Sequence, residues 1–133
     1  MALSKAQAKA LIKAARQVRL RAHAPYSRFL VGAAVMDRRG GIHVGCNVEN
    51  ASYGLTVCAE RNALAAAVAA GARAIQAAVV VTNADPPATP CGACRQVLAE
   101  FGSPQTPIWL ASTSGAEIVK HDLGALLPAA FGR

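Results

Sequence analysis

Two short stretches constrain this chain more than anything else in it. Cys58-Ala59-Glu60-Arg61 and Pro90-Cys91-Gly92-Ala93-Cys94 together offer three thiols and one carboxylate. Thiolates are soft ligands that suit Zn²⁺. If one ion takes all three sulfurs, the fold must bring two distant segments to one point. Three ligands leave the fourth tetrahedral position open, which is the arrangement of a catalytic zinc site. Glu60 is then free to carry a proton instead of holding the metal.

At 133 residues the chain is read as a single domain, residues 1–133, with room for one core. An apolar fraction of 53% argues against disorder. The longest apolar run, residues 63 to 72, is about half a membrane span, so no membrane association is expected. The net charge of +7 raises a nucleic-acid reading. A soluble surface that happens to be basic is preferred, because aromatics for base stacking are few. The basic, acid-free N-terminus resembles a transit peptide but runs straight into the fold, so it is read as structural. No signal peptide is evident, and the four cysteines, in a reducing cytoplasm, fit a metal site better than two disulfides.

Taken in order, Ser4-Lys5-Ala6-Gln7 is a capping box that starts a helix near Lys5. Ala8, Leu11, Ile12, Ala15 and Val18 form its buried face, and the helix fades before Pro25. His23 is placed at that helix end. Residues 29 to 36 and 42 to 48 read as strands of a hairpin around Asp37-Arg38-Arg39-Gly40-Gly41. Asn47 and Glu49, two apart on extended chain, share a face. That pair either grips vicinal hydroxyls or caps turns, and spacing alone does not decide. A helix over 58 to 70, a strand over 77 to 82 and a helix over 91 to 101 follow. Strands over 108 to 111 and 118 to 119, and a short helix over 123 to 127, close the chain. Strands alternating with helices predict a layered α/β sheet, mixed because of the hairpin.

Cys58 and Cys91 then both begin helices. Thiolates there gain from the positive dipole end and free backbone N–H groups, which favour the metal-binding form. Three thiolates on Zn²⁺ leave a net −1, so a cation is needed nearby. Arg61 and Arg95 directly follow the two clusters, and at least one is expected to hydrogen-bond a ligand sulfur.

The cysteine segments match the three-cysteine form of the zinc deaminase pattern. Tyr26-Ser27-Arg28-Phe29-Leu30-Val31-Gly32-Ala33-Ala34, Asn47-Val48-Glu49-Asn50-Ala51-Ser52-Tyr53, Pro90 to Gln96 and Leu126-Leu127-Pro128-Ala129-Ala130-Phe131 extend the match. The chain resembles the small, homotetrameric cytidine deaminase family over nearly its whole length. Leu30 departs from it, standing where the family has proline, which removes some local rigidity.

The resemblance implies a three-layer α/β/α fold with a mixed sheet of about five strands. It implies one Zn²⁺ per subunit on Cys58, Cys91 and Cys94. Glu60 would carry protons while a zinc-activated water attacks C4 of cytosine, turning cytidine or deoxycytidine to the uracil nucleoside plus ammonia. Phe29 would pack against the base. Asn47 and Glu49, with Ala51, would hold the nucleoside, and Phe131 would reach into a neighbouring subunit's site. The implied setting is cytoplasmic pyrimidine salvage by a homotetramer with shared active sites. A blasticidin-type deaminase shares the zinc motifs but differs over residues 47 to 52. Less favoured still are a nucleic-acid cytosine deaminase and a four-cysteine structural module that would use Cys46.

Overall fold

The computed structural model describes residues 3–132. Helix α1, Lys5–Arg19, is followed by strands β1, Gly32–Asp37, and β2, Ile42–Cys46. A single 3₁₀ turn, Tyr53–Leu55, precedes helix α2, Ala59–Ala69, and strand β3, Ile75–Thr82. Helix α3, Gly92–Phe101, strands β4, Pro107–Ser112, and β5, Ile118–Asp122, and helix α4, Leu123–Leu126, complete the order. The capping box at Ser4 is present in full, with Gln7 N–H donating to Ser4 and Ser4 N–H to the Gln7 side chain.

The five strands form one sheet in the order β2-β1-β3-β4-β5. Only β3 and β4 run parallel, and α3 is the crossover such a pair requires. The other neighbours are antiparallel, so the sheet is mixed. Successive residues of β1 point to opposite faces and both faces are covered. Ala33 and Val35 join the core beneath α2 and α3, while Ala34 and Met36 join the core beneath α1. That double burial explains why β1 and β3 read as continuous apolar runs and not as alternations. The result is the expected α/β/α layering. No helix of the described residues is long and apolar enough to cross a membrane.

Two glycines set how closely the helices approach the sheet. A methyl on Gly32 would lie 2.8 Å from Arg19 N, on the last residue of α1. One on Gly45 would lie 2.6 Å from Ala59 O, at the first turn of α2. Their missing side chains let α1 rest on β1 and α2 rest on β2.

The expected elements shift in places, each for a local reason. β1 begins at Gly32 instead of residue 29, because side chains take the ladder's place upstream. Asn47 Oδ1 accepts from Val31 N–H, Asn47 Nδ2 donates to Phe29 O, and Arg19 Nε donates to Leu30 O. Helix α1 stops at Arg19, so His23 is not at its end. Its backbone instead forms a bridge with Val48, through His23 N–H to Asn47 O and Glu49 N–H to His23 O. β3 and β5 are longer than expected.

Candidate metal centre and active site

Cys58 and Cys91 are the N-cap residues of α2 and α3, both with extended backbone. Cys94 is one turn into α3 and fully buried. The two helices thus aim their starts at one spot. The three sulfur atoms all lie within 4.8 Å of one another. Cys58 Sγ is 3.9 Å from Cys91 Sγ, which is 3.4 Å from Cys94 Sγ. A Zn–S bond of about 2.3 Å at a tetrahedral angle puts sulfurs about 3.8 Å apart, so the donor set and its size fit zinc. Among the described residues this is the single group of three or more potential ligands, and neither Cys46 nor Glu60 belongs to it.

Half in and half out of the helix, Cys58 can bring its sulfur close enough for its charge to act on Glu60. Glu60 is buried, 6% exposed, in the first turn of α2. Burial lifts its carboxyl above the usual carboxylate range, and the charge on Cys58 adds to this. Its own backbone N–H and the Cys94 thiol pull the other way. The result is a carboxyl with a raised affinity for its proton beside the sulfur cluster.

The cysteines differ from one another. The Cys58 thiol is held down to about 6, chiefly by the neighbouring Cys94 thiol and, against the cost of burial, by Cys91 and Arg61. Cys94 is pushed up by the neighbouring Cys58, by burial and by the Glu60 carboxylate.

The charge of Arg61 acts on the Cys58 sulfur. Arg95 is used differently: Nε donates to Pro90 O at 2.7 Å and a terminal nitrogen to Leu126 O at 2.8 Å. It ties the approach to Cys91 to the last helix. Pro90 is fully buried there.

Of the remaining expected residues, Phe29 lies on the segment before β1, Asn47, Glu49 and Ala51 lie at the exit of β2, and Phe131 lies apart from them in the chain beside α3. Asn47 is buried with both amide atoms on the backbone of Phe29 and Val31. Glu49, on the same face, accepts from Tyr26 N–H at 2.9 Å and Ser27 N–H at 3.2 Å through Oε1, and from the Ser27 hydroxyl through Oε2. These bonds, the Ser27 hydroxyl first, hold its carboxyl below the usual range. Tyr26, Ser27, Glu49, Tyr53 and Thr56 line an open hollow of about 390 Å³. Phe29 is 37% exposed. Ala51 is exposed between the exit of β2 and the 3₁₀ turn. Phe131 is 80% exposed on the C-terminal tail, whose backbone accepts from Gln96 Nε2.

Two residues with no role assigned from the sequence help to build this site. Asn62 Nδ2 donates to Cys46 O at 2.8 Å and fastens α2 to β2. Ser27 links Glu49 to Phe29, and its signal in the sequence is a serine two residues before a backbone N–H it can accept from.

A family profile described as "cytidine and deoxycytidylate deaminase zinc-binding region" matches residues 5–110. A cytidine deaminase of Halalkalibacterium halodurans is 49% identical over 121 residues, 91% of this chain and 91% of the relative. One of Sporosarcina psychrophila is 44% identical over 123 residues, covering 92% of this chain and 90% of the relative. The crystal structure of cytidine deaminase from Burkholderia pseudomallei superposes with a TM-score of 0.89 at 47% identity. That likeness covers 97% of this chain and 100% of the other.

Proposed function

The chain belongs to the cytidine and deoxycytidylate deaminase family, and from that premise we propose that it hydrolyses cytidine to uridine and ammonia. Deoxycytidine is accepted by the same site. The observation that carries this reading is the three-sulfur cluster with a buried carboxyl beside it. Cys58, Cys91 and Cys94 hold one Zn²⁺ per subunit. Bound there, zinc supplies a Lewis acid that makes water a nucleophile near neutral pH.

The chain's own residues do the rest. Glu60 takes a proton from the attacking water and delivers protons to N3 of the base and to the departing amine, so water's elements end on uridine and ammonia. Its raised affinity for a proton suits a group that must both accept and donate one. Arg61 offsets the negative charge of the thiolates at Cys58. Arg95 acts on the site by holding the Cys91 approach in place. Phe29 packs on the base. Asn47 and Glu49 read the ribose hydroxyls, Glu49 as an ionised acceptor with part of its carboxylate still open, and Ala51 lines the nucleoside.

The exposed Phe131 ring supports a homotetramer in which each tail completes a neighbour's site. An aromatic ring that exposed at a chain end gains by being covered. A single domain, pyrimidine salvage and a cytoplasmic setting complete the reading.

The test is conversion of free cytidine, followed by the absorbance change to uridine, on protein of measured zinc content. Turnover is expected to scale with zinc occupancy. Turnover of a cytosine-bearing oligonucleotide without turnover of free cytidine would overturn the proposal.

A further inference from the structure

Phe29 lies outside the sheet, yet both of its backbone groups are held by side chains. Its N–H donates to Ser27 Oγ at 3.0 Å, and its carbonyl accepts from Asn47 Nδ2 at 2.8 Å. Ser27 in turn donates its hydroxyl to Glu49 Oε2. The direction of that bond is not free, because an ionised carboxylate can only accept. With its one proton given to Glu49, the Ser27 oxygen must present lone pairs to Phe29 N–H. One hydroxyl therefore joins the carboxylate to the aromatic residue in a fixed sense.

The turn that makes this link possible is strained. Arg28, between Ser27 and Phe29, has φ of 60°, a left-handed conformation unfavourable for a residue with a side chain. Such a residue persists where its surroundings over-determine it. Here Arg28 N–H donates to Ala24 O, Tyr26 and Ser27 N–H both donate to Glu49 Oε1, and Ser27 bridges across the bend. Glu49 has acceptor positions for about four hydrogen bonds. Three are taken by this turn, which leaves Oε2 with room for a hydroxyl from outside.

We infer that Ser27 is a positioning residue for the substrate: its hydroxyl locks Glu49 and Phe29 into one unit, so that the sugar contact and the base contact are set together. This rests on the reading of Glu49 and Phe29 as nucleoside contacts. Ser27 is exposed and its hydroxyl bonds Glu49 and Phe29, the proposed sugar and base contacts, so it acts on binding and leaves the chemical step alone. Without it, Phe29 N–H and Glu49 Oε2 lose a shared partner and the Arg28 turn can relax.

The experiment compares Ser27→Ala and Ser27→Thr, each alone, and Ser27→Ala combined with Glu49→Ala, in the zinc-loaded enzyme. Ser27→Ala is expected to raise KM for cytidine about tenfold, the scale of one hydrogen bond to a charged group, with kcat within about twofold. Ser27→Thr restores the hydroxyl and should return KM to within about twofold of the parent. In the Glu49→Ala background the effect of Ser27→Ala should shrink, because the two residues act as one. An unchanged KM in folded Ser27→Ala, an undiminished penalty beside Glu49→Ala, or an equal loss in kcat overturns the inference. If Glu49→Ala itself leaves KM unchanged, the nucleoside-contact reading fails first.

Discussion

Glu60 has the most consequential surroundings of any single side chain here. It is buried beside three sulfurs, in the first helical turn, and carries a raised proton affinity from that burial. Glu60→Gln keeps the shape and removes the proton. The variant should keep its zinc and its thermal midpoint while turnover of cytidine falls by about 10²–10⁴-fold or more, the span of general acid–base catalysis. Zinc analysis and the absorbance assay on the same sample check both halves. Retained turnover in a folded, zinc-loaded variant would remove the proton-carrying role. Asn47 has a double duty at the same scale. Beyond the sugar contact that the family resemblance implies, its amide replaces ladder bonds for Phe29 and Val31. Its substitution therefore disturbs backbone as well as any ligand.

At the level of elements, the site depends on where α2 starts. Gly45 of β2 lets the first turn of α2 lie against the sheet, with Ala59 O 2.6 Å from where a methyl would stand. Gly45→Ala forces that turn outward and should cost about 1–3 kcal/mol, as overpacking does. Because Cys58 caps the same helix, zinc should also be lost to a chelator more readily. Denaturant unfolding and chelator competition measure the two effects. The β1–β2 turn gives a pH prediction. Asp37 bonds His43 at 2.8 Å and accepts the N–H groups of Arg39 and Gly41, and these contacts, His43 first, lower its carboxyl from an ordinary 3.8. A lowered folded value means the contribution is complete above 3.8 and is lost as pH falls through the lower folded value. Asp37→Asn should therefore be less stable than the parent at neutral pH. The difference should narrow as pH drops below about 4, as measured by thermal midpoints across pH.

For the whole molecule, the proposed assembly makes a complementation prediction. Phe131→Ala chains keep Glu60, and Glu60→Gln chains keep Phe131. If each tail completes a neighbour's site, mixed assemblies contain some sites with both groups intact. Co-refolded mixtures should then exceed the average activity of the two parents, while light scattering reports four chains per particle. A mixture that only averages its parents would place Phe131 outside the neighbouring site. Zinc removal acts at the same scale. On the proposed ligands the metal would join the starts of α2 and α3, and metal binding is folding free energy, so stripping it should lower the thermal midpoint by several degrees or more. Zinc addition should restore it. The uneven thiols predict that reloading weakens as pH drops, since all three must lose their protons.

By itself the sequence determined what is decided within a few residues. The capping box at Ser4 and the helix starts at Cys58 and Cys91 follow from local spacing and backbone preference. The grouping of Cys58, Cys91 and Cys94 was legible for the same reason, since sulfur chemistry and helix-start geometry are written side by side. The α/β layering was legible from the alternation of elements. The tertiary structure alone decided which distant partners meet. Arg61 and Arg95 each follow a cysteine at a helix start, yet the charge of Arg61 acts on Cys58 while Arg95 meets two backbone carbonyls, because the fold brings Leu126 O within reach of its guanidinium. Residues 29 to 31 look like strand, yet Asn47 and Arg19 claim their backbone groups before the ladder can. Ser27 is an ordinary polar residue of its motif until the fold brings Glu49 against it. Contacts of that kind depend on close approach across the fold, and a chain's local preferences carry no record of them.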